Sequence, residues 1–390
     1  MHTRWLAGRT FTAVGGLLVM AGVFAGTGPA VASAANCQAW TGAQPPSPGT
    51  LENALSSVAV LSPCDVWAVG LDLSGGAYQT LIEHWNGSSW AQVDSPDPGS
   101  GNNYLKSVRA ASASSIWAVG SASDGTSSKT LIEHWNGTAW QTVPSPSPGS
   151  SFNELNGVRV VSASDAWAVG AYGDGNGTHR QTLVLHWNGA TWTQVASPDP
   201  GGSGNDNYLF AVAATSHSDA LAVGEIVTST GIQTLALHWN GTRWAQVVSP
   251  NPGTLSELFG VGATSASNAW AVGEVTTGTT EQTLVLHWNG HTWARVTSPN
   301  PGGQAHDNTL DAVAVTSISS AWAVGTYETG TGQSNIVLHW NGRTWAHVNS
   351  PSPGTQNGLF GVAATSASNV WAVGYFQTSG PEQTLALHCC

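Results

Sequence analysis

A segment of about 50 residues repeats along almost the whole chain, and this internal repeat restricts the fold more than any other feature. The motif Trp-Ala-Val-Gly recurs, with Leu221 in place of its tryptophan in the fourth copy, at Trp67, Trp117, Trp167, Trp270, Trp322 and Trp371. A histidine follows in every copy, at spacings of 50, 52, 52, 49, 52 and 49 residues: His84, His134, His186, His238, His287, His339 and His388. Seven copies of this period predict a repeat architecture.

Each copy is predicted to form four short strands, because aromatic and β-branched residues alternate with small or polar ones between turn residues. In the third copy the strands are expected at Leu155 to Ser162, Ala166 to Tyr172, Gln181 to Trp187 and Thr191 to Ala196. The Asn188-Gly189 pair favours a tight hairpin between the last two strands.

Four antiparallel strands per repeat predict an all-β, seven-bladed β-propeller over residues 36–390. The seventh copy stops at Cys390 without its fourth strand, whereas the segment from Ala39 to Gly49 matches the fourth strand of the other copies. We therefore expect the N-terminal strand to complete the last blade. The predicted blades are 51–100, 101–150, 151–201, 202–253, 254–302, 303–354, and 355–390 together with 36–50.

Four cysteines cluster at this predicted closure: Cys37, Cys64, Cys389 and Cys390. In an exported chain they favour two disulfides, one from Cys37 to Cys390 or Cys389, with Cys64 as a partner for the remaining thiol. Alternatives are a bond between the adjacent Cys389 and Cys390, free thiols, or a zinc site built with His388. The leading interpretation includes no metal and no cofactor.

Residues 1–35 resemble a secretion signal, with a basic start, an apolar stretch and a small-residue cleavage site before Asn36. Its removal leaves 8 basic and 22 acidic side chains, a formal charge of −14. Without a clustered basic surface, nucleic acid is not an expected partner. We expect a monomer that is secreted or at the cell surface and that does not insert into a membrane after cleavage.

The repeated tryptophans and histidines are predicted to be structural, because they recur at a fixed register in the copies. An alternative is a lectin in which one tryptophan per blade stays exposed. Positions that differ between copies are better functional candidates. Arg109 and Arg159 replace small residues in the innermost strand and could bind an anion, or pair with Glu154 or Asp165. Glu225 and Glu274 follow the Trp-Ala-Val-Gly strand and could form the carboxylate pair of a glycoside-acting enzyme.

The WAVG strand followed by TLVLHWNGATW and a Ser-Pro turn resembles the kelch repeat, and the WNGxxW hairpin resembles an Asp-box repeat. The chain departs from kelch repeats in having Val169-Gly170 in place of a Gly-Gly doublet. The resemblance implies a propeller, and such propellers include binding proteins, lectins, sialidases and a copper oxidase. No site residues of those enzymes match here. The leading expectation is an exported, noncatalytic binding propeller that uses the loops of one rim to bind a protein or glycan.

Overall fold

The computed structural model describes residues 39–175 and 178–389, all of which belong to one compact unit, Ala35–Cys390. These residues form 28 β-strands and a single turn of 3-10 helix, Gly202–Gly204. The predicted signal segment, together with Cys37 and Cys390, lies outside the described residues.

The strands follow the repeat in chain order, after a short N-terminal strand β1 (Trp40–Gly42). The first two copies form β2 (Glu52–Ser62), β3 (Asp65–Leu73), β4 (Tyr78–Trp85), β5 (Trp90–Gln92), β6 (Asn103–Ser112), β7 (Ser115–Ser123), β8 (Ser128–Trp135) and β9 (Trp140–Thr142). The third and fourth form β10 (Asn153–Ser162), β11 (Asp165–Gly173), β12 (Arg180–Trp187), β13 (Trp192–Gln194), β14 (Asp206–Ser216), β15 (Asp219–Thr228), β16 (Gly231–Trp239) and β17 (Trp244–Gln246). The last three form β18 (Leu255–Ser265), β19 (Asn268–Thr277), β20 (Thr280–Trp288), β21 (Trp293–Arg295), β22 (Asn308–Ser317), β23 (Ser320–Glu328), β24 (Gln333–Trp340), β25 (Trp345–His347), β26 (Gln356–Ser366), β27 (Asn369–Gln377) and β28 (Gln383–Cys389).

These strands make five four-stranded sheets and one eight-stranded sheet. The larger sheet is two four-stranded units joined by one parallel bridge, Ile232 to Leu255. Within each of the seven four-stranded units, here called blades one to seven, neighbouring strands are antiparallel. Blade seven takes its fourth strand from β1, in which Trp40 pairs with Cys389 and Gly42 with Leu387. The predicted completion of the last blade by the N-terminal strand is therefore confirmed.

The first strand of each blade packs against the first strands of the two adjoining blades, including blade one against blade seven. The Val108 amide donates a hydrogen bond to Ser57 Oγ at 3.2 Å, which joins blades one and two at this level. At the junction of blades seven and one the backbones are so close that a Cβ on Gly361 would lie 2.8 Å from Ser57 Cα. The seven first strands therefore surround a common axis.

The two ends of the blades differ in what they carry. Because the strands are antiparallel, the turn between strands one and two and the hairpin between strands three and four lie at the same end, the turn face. In blade one Trp85 Nε1 donates to the Pro63 carbonyl oxygen at 3.2 Å across that end. The opposite end, the loop face, carries the loops between strands two and three and the connections between blades.

The tryptophans pack between blades. Trp67 of blade one has its ring 4.9 Å from that of Trp135 and 5.6 Å from that of Trp140, both in blade two. The same arrangement joins Trp371 of blade seven to Trp85 and Trp90 of blade one. Each buried indole removes about 150 to 250 Å² from water, so these clusters contribute much of the stabilisation of the ring.

Cys64 is a free thiol exposed to solvent. It lies in the turn between β2 and β3, under the blade-one hairpin, where a Cβ on Gly87 would be 2.8 Å from the Cys64 Cβ. The prediction that Cys64 pairs with a closure cysteine is therefore wrong, because its turn packs on its own blade. Cys389 is fully buried in β28. Its bonding to Cys37 or Cys390 stays a prediction.

Candidate functional site

The repeated histidines each contact the polar residue that begins the second strand of the same blade. His186 Nε2 lies 2.8 Å from Asp165 Oδ1, and His134 Nε2 lies 3.0 Å from Ser115 Oγ. His84, His238, His287, His339 and His388 make the equivalent contacts. The Trp67 and His84 rings also stack, with centroids 4.1 Å apart. These contacts hold two strands of one sheet together and give the histidines a structural role.

Tryptophan side chains do not form an exposed platform in the described residues. The six tryptophans of the Trp-Ala-Val-Gly motif and those of the fourth strands are all buried. The six before the hairpins, Trp85 among them, donate their Nε1 hydrogens to carbonyl oxygens of the adjacent turn. This geometry favours packing over the stacking surface that a multivalent lectin needs.

Glu225 and Glu274 do not form a catalytic pair at the surface. They lie in blades four and five, and their residues are 8% and 5% exposed. Thr309 Oγ1 of blade six donates a hydrogen bond to Glu274 Oε2 at 2.7 Å. Both residues are buried in separate blades, so we abandon the interpretation that they hydrolyse a glycosidic bond.

Every innermost strand has a β-bulge at the same place in the repeat, in addition to a second register shift beside its turn. In blade one the pairing register shifts between Leu55 and Ser57, which leaves Ser56 as the extra residue. The glycine of the Trp-Ala-Val-Gly motif pairs with the residue just before this shift. Only glycine fits there, because a Cβ on Gly70 would collide with the Ala54 carbonyl oxygen. Bulges change where a side chain points and are frequent beside binding sites. This feature was missed from the sequence.

The seven bulge residues are all partly exposed, whereas the leucine before each of them is completely buried. We call them the bulge ring: Ser56, Lys106, Asn156, Phe210, Phe259, Asp311 and Phe360. They lie on the innermost strands, which surround the axial channel. Their variety between copies is the signal that could have identified them, because the fold requires no particular side chain there.

Three residues after the bulge, two of the innermost strands carry Arg109 and Arg159. Arg109 Nη1 donates to the Val108 carbonyl oxygen at 2.7 Å, and Arg159 Nε donates to the Ala214 carbonyl oxygen at 3.3 Å. The carboxylates expected as partners are engaged elsewhere: Lys106 Nζ lies 2.8 Å from Glu154 Oε2, and Asp165 contacts His186. Among the described residues, neither arginine has a carboxylate within ion-pair distance.

Arg159 lines a cavity of about 460 Å³ at the turn-face end of the axis. The remaining wall comes from blades three to six and consists of Val160, Val161, Ala214, Thr215, Ala263, Thr264, Val315 and Thr316. These residues lie near the C-terminal ends of the innermost strands. The cavity is therefore an axial depression with small, partly hydroxylated walls and an arginine at one side.

The arginines are electrostatically strained. Burial, and to a lesser degree the positive charge of Arg159, lowers the pKa of Arg109 to about 10. Burial also lowers the pKa of Arg159. Both side chains remain charged at neutral pH, and buried charges without counterions are costly. An anion entering the cavity would relieve that cost for Arg159, which lines it.

No group of three or more His, Cys, Asp or Glu side chains in the described part of the chain could hold a metal ion. Among the same residues, no helix is long and apolar enough to span a membrane.

No family model matches the chain, and no curated protein matches it. Solved structures do. A structure described as YCF48 bound to D1 peptide is 15% identical, with a TM-score of 0.55 over 92% of this chain and 98% of that one. YCF48 from Cyanidioschyzon merolae is 13% identical, with a TM-score of 0.54 over 90% and 98%. At this identity the likeness shows the fold, which is that of a β-propeller.

Proposed function

We propose that this protein is a noncatalytic binding propeller whose axial cavity on the turn face takes an acidic segment of a protein partner. The observation that carries the proposal is the pair Arg109 and Arg159, which lie at the axis without carboxylate partners among the described residues. Arginine forms strong, charge-assisted hydrogen bonds with carboxylates. Such a site can bind the carboxylate of an Asp or Glu side chain or of a peptide C-terminus.

A peptide is favoured over a glycan as the ligand. A structure with the same fold is described as holding a peptide, which supports a protein-binding role for a propeller of this kind. A sugar site would need exposed aromatic rings, whereas the described tryptophans pack between blades or against turns. The partner's identity rests on chemistry alone: an acidic segment narrow enough for a cavity of about 460 Å³.

The proposed site differs from the one expected from the sequence, which was a rim of loops. Those loops lie on the loop face, and the arginines lie toward the turn face. Residues 1–35 still support export, and the protein is proposed to act as a monomer in the medium or at the cell surface. The kelch-like or Asp-box-like subtype stays part of this proposal.

The test measures binding of fluorescent peptides by anisotropy, using a Glu-rich peptide and its Gln-substituted counterpart. The double variant Arg109→Ala/Arg159→Ala is well matched to the fold because alanine occupies this position in blades one, four, six and seven. We expect the unchanged protein to prefer the acidic peptide and the double variant to bind it at least about 10-fold more weakly, since a charged hydrogen bond contributes about 1.5 to 3 kcal/mol.

Arg343→Ala is the control, because Arg343 is an exposed arginine in a hairpin of the same face. It should leave the affinity unchanged. Equal binding of the acidic and neutral peptides, or equal losses in the double variant and in Arg343→Ala, would contradict the proposal.

A further inference from the structure

The bulge ring has two chemically different halves. Ser56, Lys106 and Asn156 come from blades one to three and are polar. Three phenylalanines come from blades four, five and seven: Phe210, Phe259 and Phe360. The acid Asp311 of blade six lies between two of them in ring order, since blade six adjoins blades five and seven.

The aromatic half consists of one pair of neighbouring phenylalanine rings and a third that packs on a tyrosine. The Phe210 and Phe259 rings are 5.7 Å apart, and Phe360 stacks on Tyr375 with centroids 5.5 Å apart. All three phenylalanines are partly exposed, whereas the leucine before each of them is completely buried. Aromatic faces open to a channel can attract a cation through the ring quadrupole.

The Asp311 carboxylate has neither a hydrogen-bond donor nor an ion-pair partner among the described residues. The cation of the bulge ring, Lys106, is occupied, because its Nζ lies 2.8 Å from Glu154 Oε2 and 2.9 Å from Asn156 Oδ1. Burial raises the pKa of Asp311 to about 8. Keeping a desolvated acid here costs stability unless a ligand uses it.

We propose that Asp311, with Phe259 and Phe360 on either side, binds an ammonium or guanidinium group in the axial channel. A carboxylate between aromatic rings complements such a cation in both charge and shape. Arg159 stands three residues further along its strand than the bulge, a separation of about 10 Å along the axis. A peptide segment with one acidic and one basic side chain could therefore contact Arg159 and Asp311 together. The cation site at Asp311 does not depend on the arginines of the proposed function.

Other titratable groups lie on the strands packed against β22. On those strands they are Glu257, Glu274, Glu281 and His287 of blade five and Tyr327 and Glu328 of blade six, and Tyr375 lies on β27 of blade seven. Asp311 is among the charges that raise the pKa of Tyr375, after burial and Glu382. Of these residues only His287 can carry a positive charge, and burial lowers its pKa, so the surroundings favour a positively charged ligand.

The two ionisation states of Asp311 give the test its signature. A cation binds the carboxylate form, so binding must release the proton that burial retains. The ionised fraction rises from about 1% at pH 6 to about 50% at pH 8 for a pKa of about 8, and the apparent affinity should strengthen roughly 50-fold over this range. The affinity for an uncharged ligand should not strengthen with pH in this way.

The experiment titrates the protein with n-butylammonium chloride and, separately, with n-butanol, and follows binding by NMR chemical shifts at pH 6, 7 and 8. The variant Asp311→Asn fits the site because Asn156 occupies the same bulge in blade three. We expect butylammonium to bind with the predicted pH dependence, and Asp311→Asn to lose that binding. Asp94→Asn, a change at an exposed acid, controls for net charge.

The proposal is overturned if butylammonium does not bind, if butanol binds equally well, or if Asp311→Asn binds the cation with the same pH dependence. Failure of the acidic-peptide test leaves this result unaffected, because that test depends on Arg109 and Arg159. Conversely, loss of the cation site alone leaves the acidic-peptide result standing.

Discussion

Thr41 lies directly opposite His388 in the pairing of β1 with β28, and its Oγ1 donates a hydrogen bond of 3.3 Å to the His388 carbonyl oxygen. The first and last described strands thus share one sheet. Trp40 in the same strand is 6% exposed and packs 5.7 Å from the Trp322 ring of blade six. Strand β1 therefore links the last strand, β28, to blade six.

Trp40→Ala should destabilise the protein strongly. Truncating a buried tryptophan typically costs about 3 to 5 kcal/mol, and here the loss falls on the strand that completes blade seven. Urea unfolding followed by tryptophan fluorescence measures the change. Leu51→Ala is the control, since Leu51 is 56% exposed and should change the free energy of unfolding by about 0.5 kcal/mol or less. Similar midpoints for the two variants would show that β1 does not hold the ring together.

The repeat pattern was sufficient to predict most of the architecture. In the third copy the expected strands differ from β10, β11, β12 and β13 by at most two residues at either end. The alternation of buried and exposed residues, the Asn-Gly hairpin and the N-terminal copy of the fourth strand were all visible locally. The completed last blade followed from matching Trp40 with the equivalent tryptophans.

Other features could not be read from the pattern. A bulge changes neither residue types nor spacing enough to be seen in one copy, so Asp311 was not singled out. The pairing of Cys64 was misjudged because the turn that carries it packs under the hairpin of its own blade. Arg109 and Arg159 were placed near the axis, but their lack of carboxylate partners depends on which residue Lys106 and His186 contact.

Cys64 should react with iodoacetamide in the folded protein, because it is exposed and reduced. Intact-mass measurement without denaturant should show one rapid addition, absent from Cys64→Ser. Serine occupies the same turn position in the other six blades, so the variant should keep its stability. Peptide mapping without reductant then tests whether Cys37 is bonded to Cys389 or Cys390. Rapid labelling of Cys64→Ser at several sites would contradict the predicted closure bond.

Glu83→Leu should stabilise the protein, increasingly so at higher pH. Glu83 is completely buried, and neither carboxyl oxygen has a hydrogen-bond partner. The equivalent acid of blade two, Glu133, accepts a hydrogen bond at Oε2 from Ser95 Oγ of blade one, at 3.1 Å. The residue that corresponds to Ser95 in the neighbour of Glu83 is Pro45, which has no hydroxyl. Five other blades have leucine here.

The pH dependence follows from burial, which raises the pKa of Glu83 to about 8. The folded state keeps the proton that the unfolded state releases near pH 4.5, so the unchanged protein loses stability as pH rises between these values. The gap between Glu83→Leu and the unchanged protein should widen by on the order of 2 to 3 kcal/mol from pH 5 to pH 7. Glu83→Gln, which cannot titrate, should lose the pH dependence but keep a buried polar group. A gap independent of pH would exclude a protonated Glu83.

Ser115→Asp should make the protein less sensitive to acid. Burial lowers the pKa of His134, whose ring contacts Ser115, so the unfolded state binds a proton more readily. Stability is therefore complete above about pH 6.5, falls as pH drops to the lower pKa of the folded state, and changes no further below it. A carboxylate partner, as at Asp165, favours the protonated ring.

Melting temperatures at pH 7.5 and pH 5 measure this effect. The difference between the two should shrink in Ser115→Asp and grow in the reverse variant Asp165→Ser. Equal differences in all three proteins would mean that these histidines do not contribute to acid unfolding.

Cross-linking from inside the axial cavity tests most directly whether a partner binds at the turn face. A photoreactive benzoylphenylalanine replaces Thr264, which lines the cavity, or Thr126, which is exposed in the loop between β7 and β8 on the loop face. After illumination with the Glu-rich peptide, we predict a cross-linked product from position 264 and none from position 126. A product from position 126 alone would place the ligand on the opposite face and contradict the proposed site.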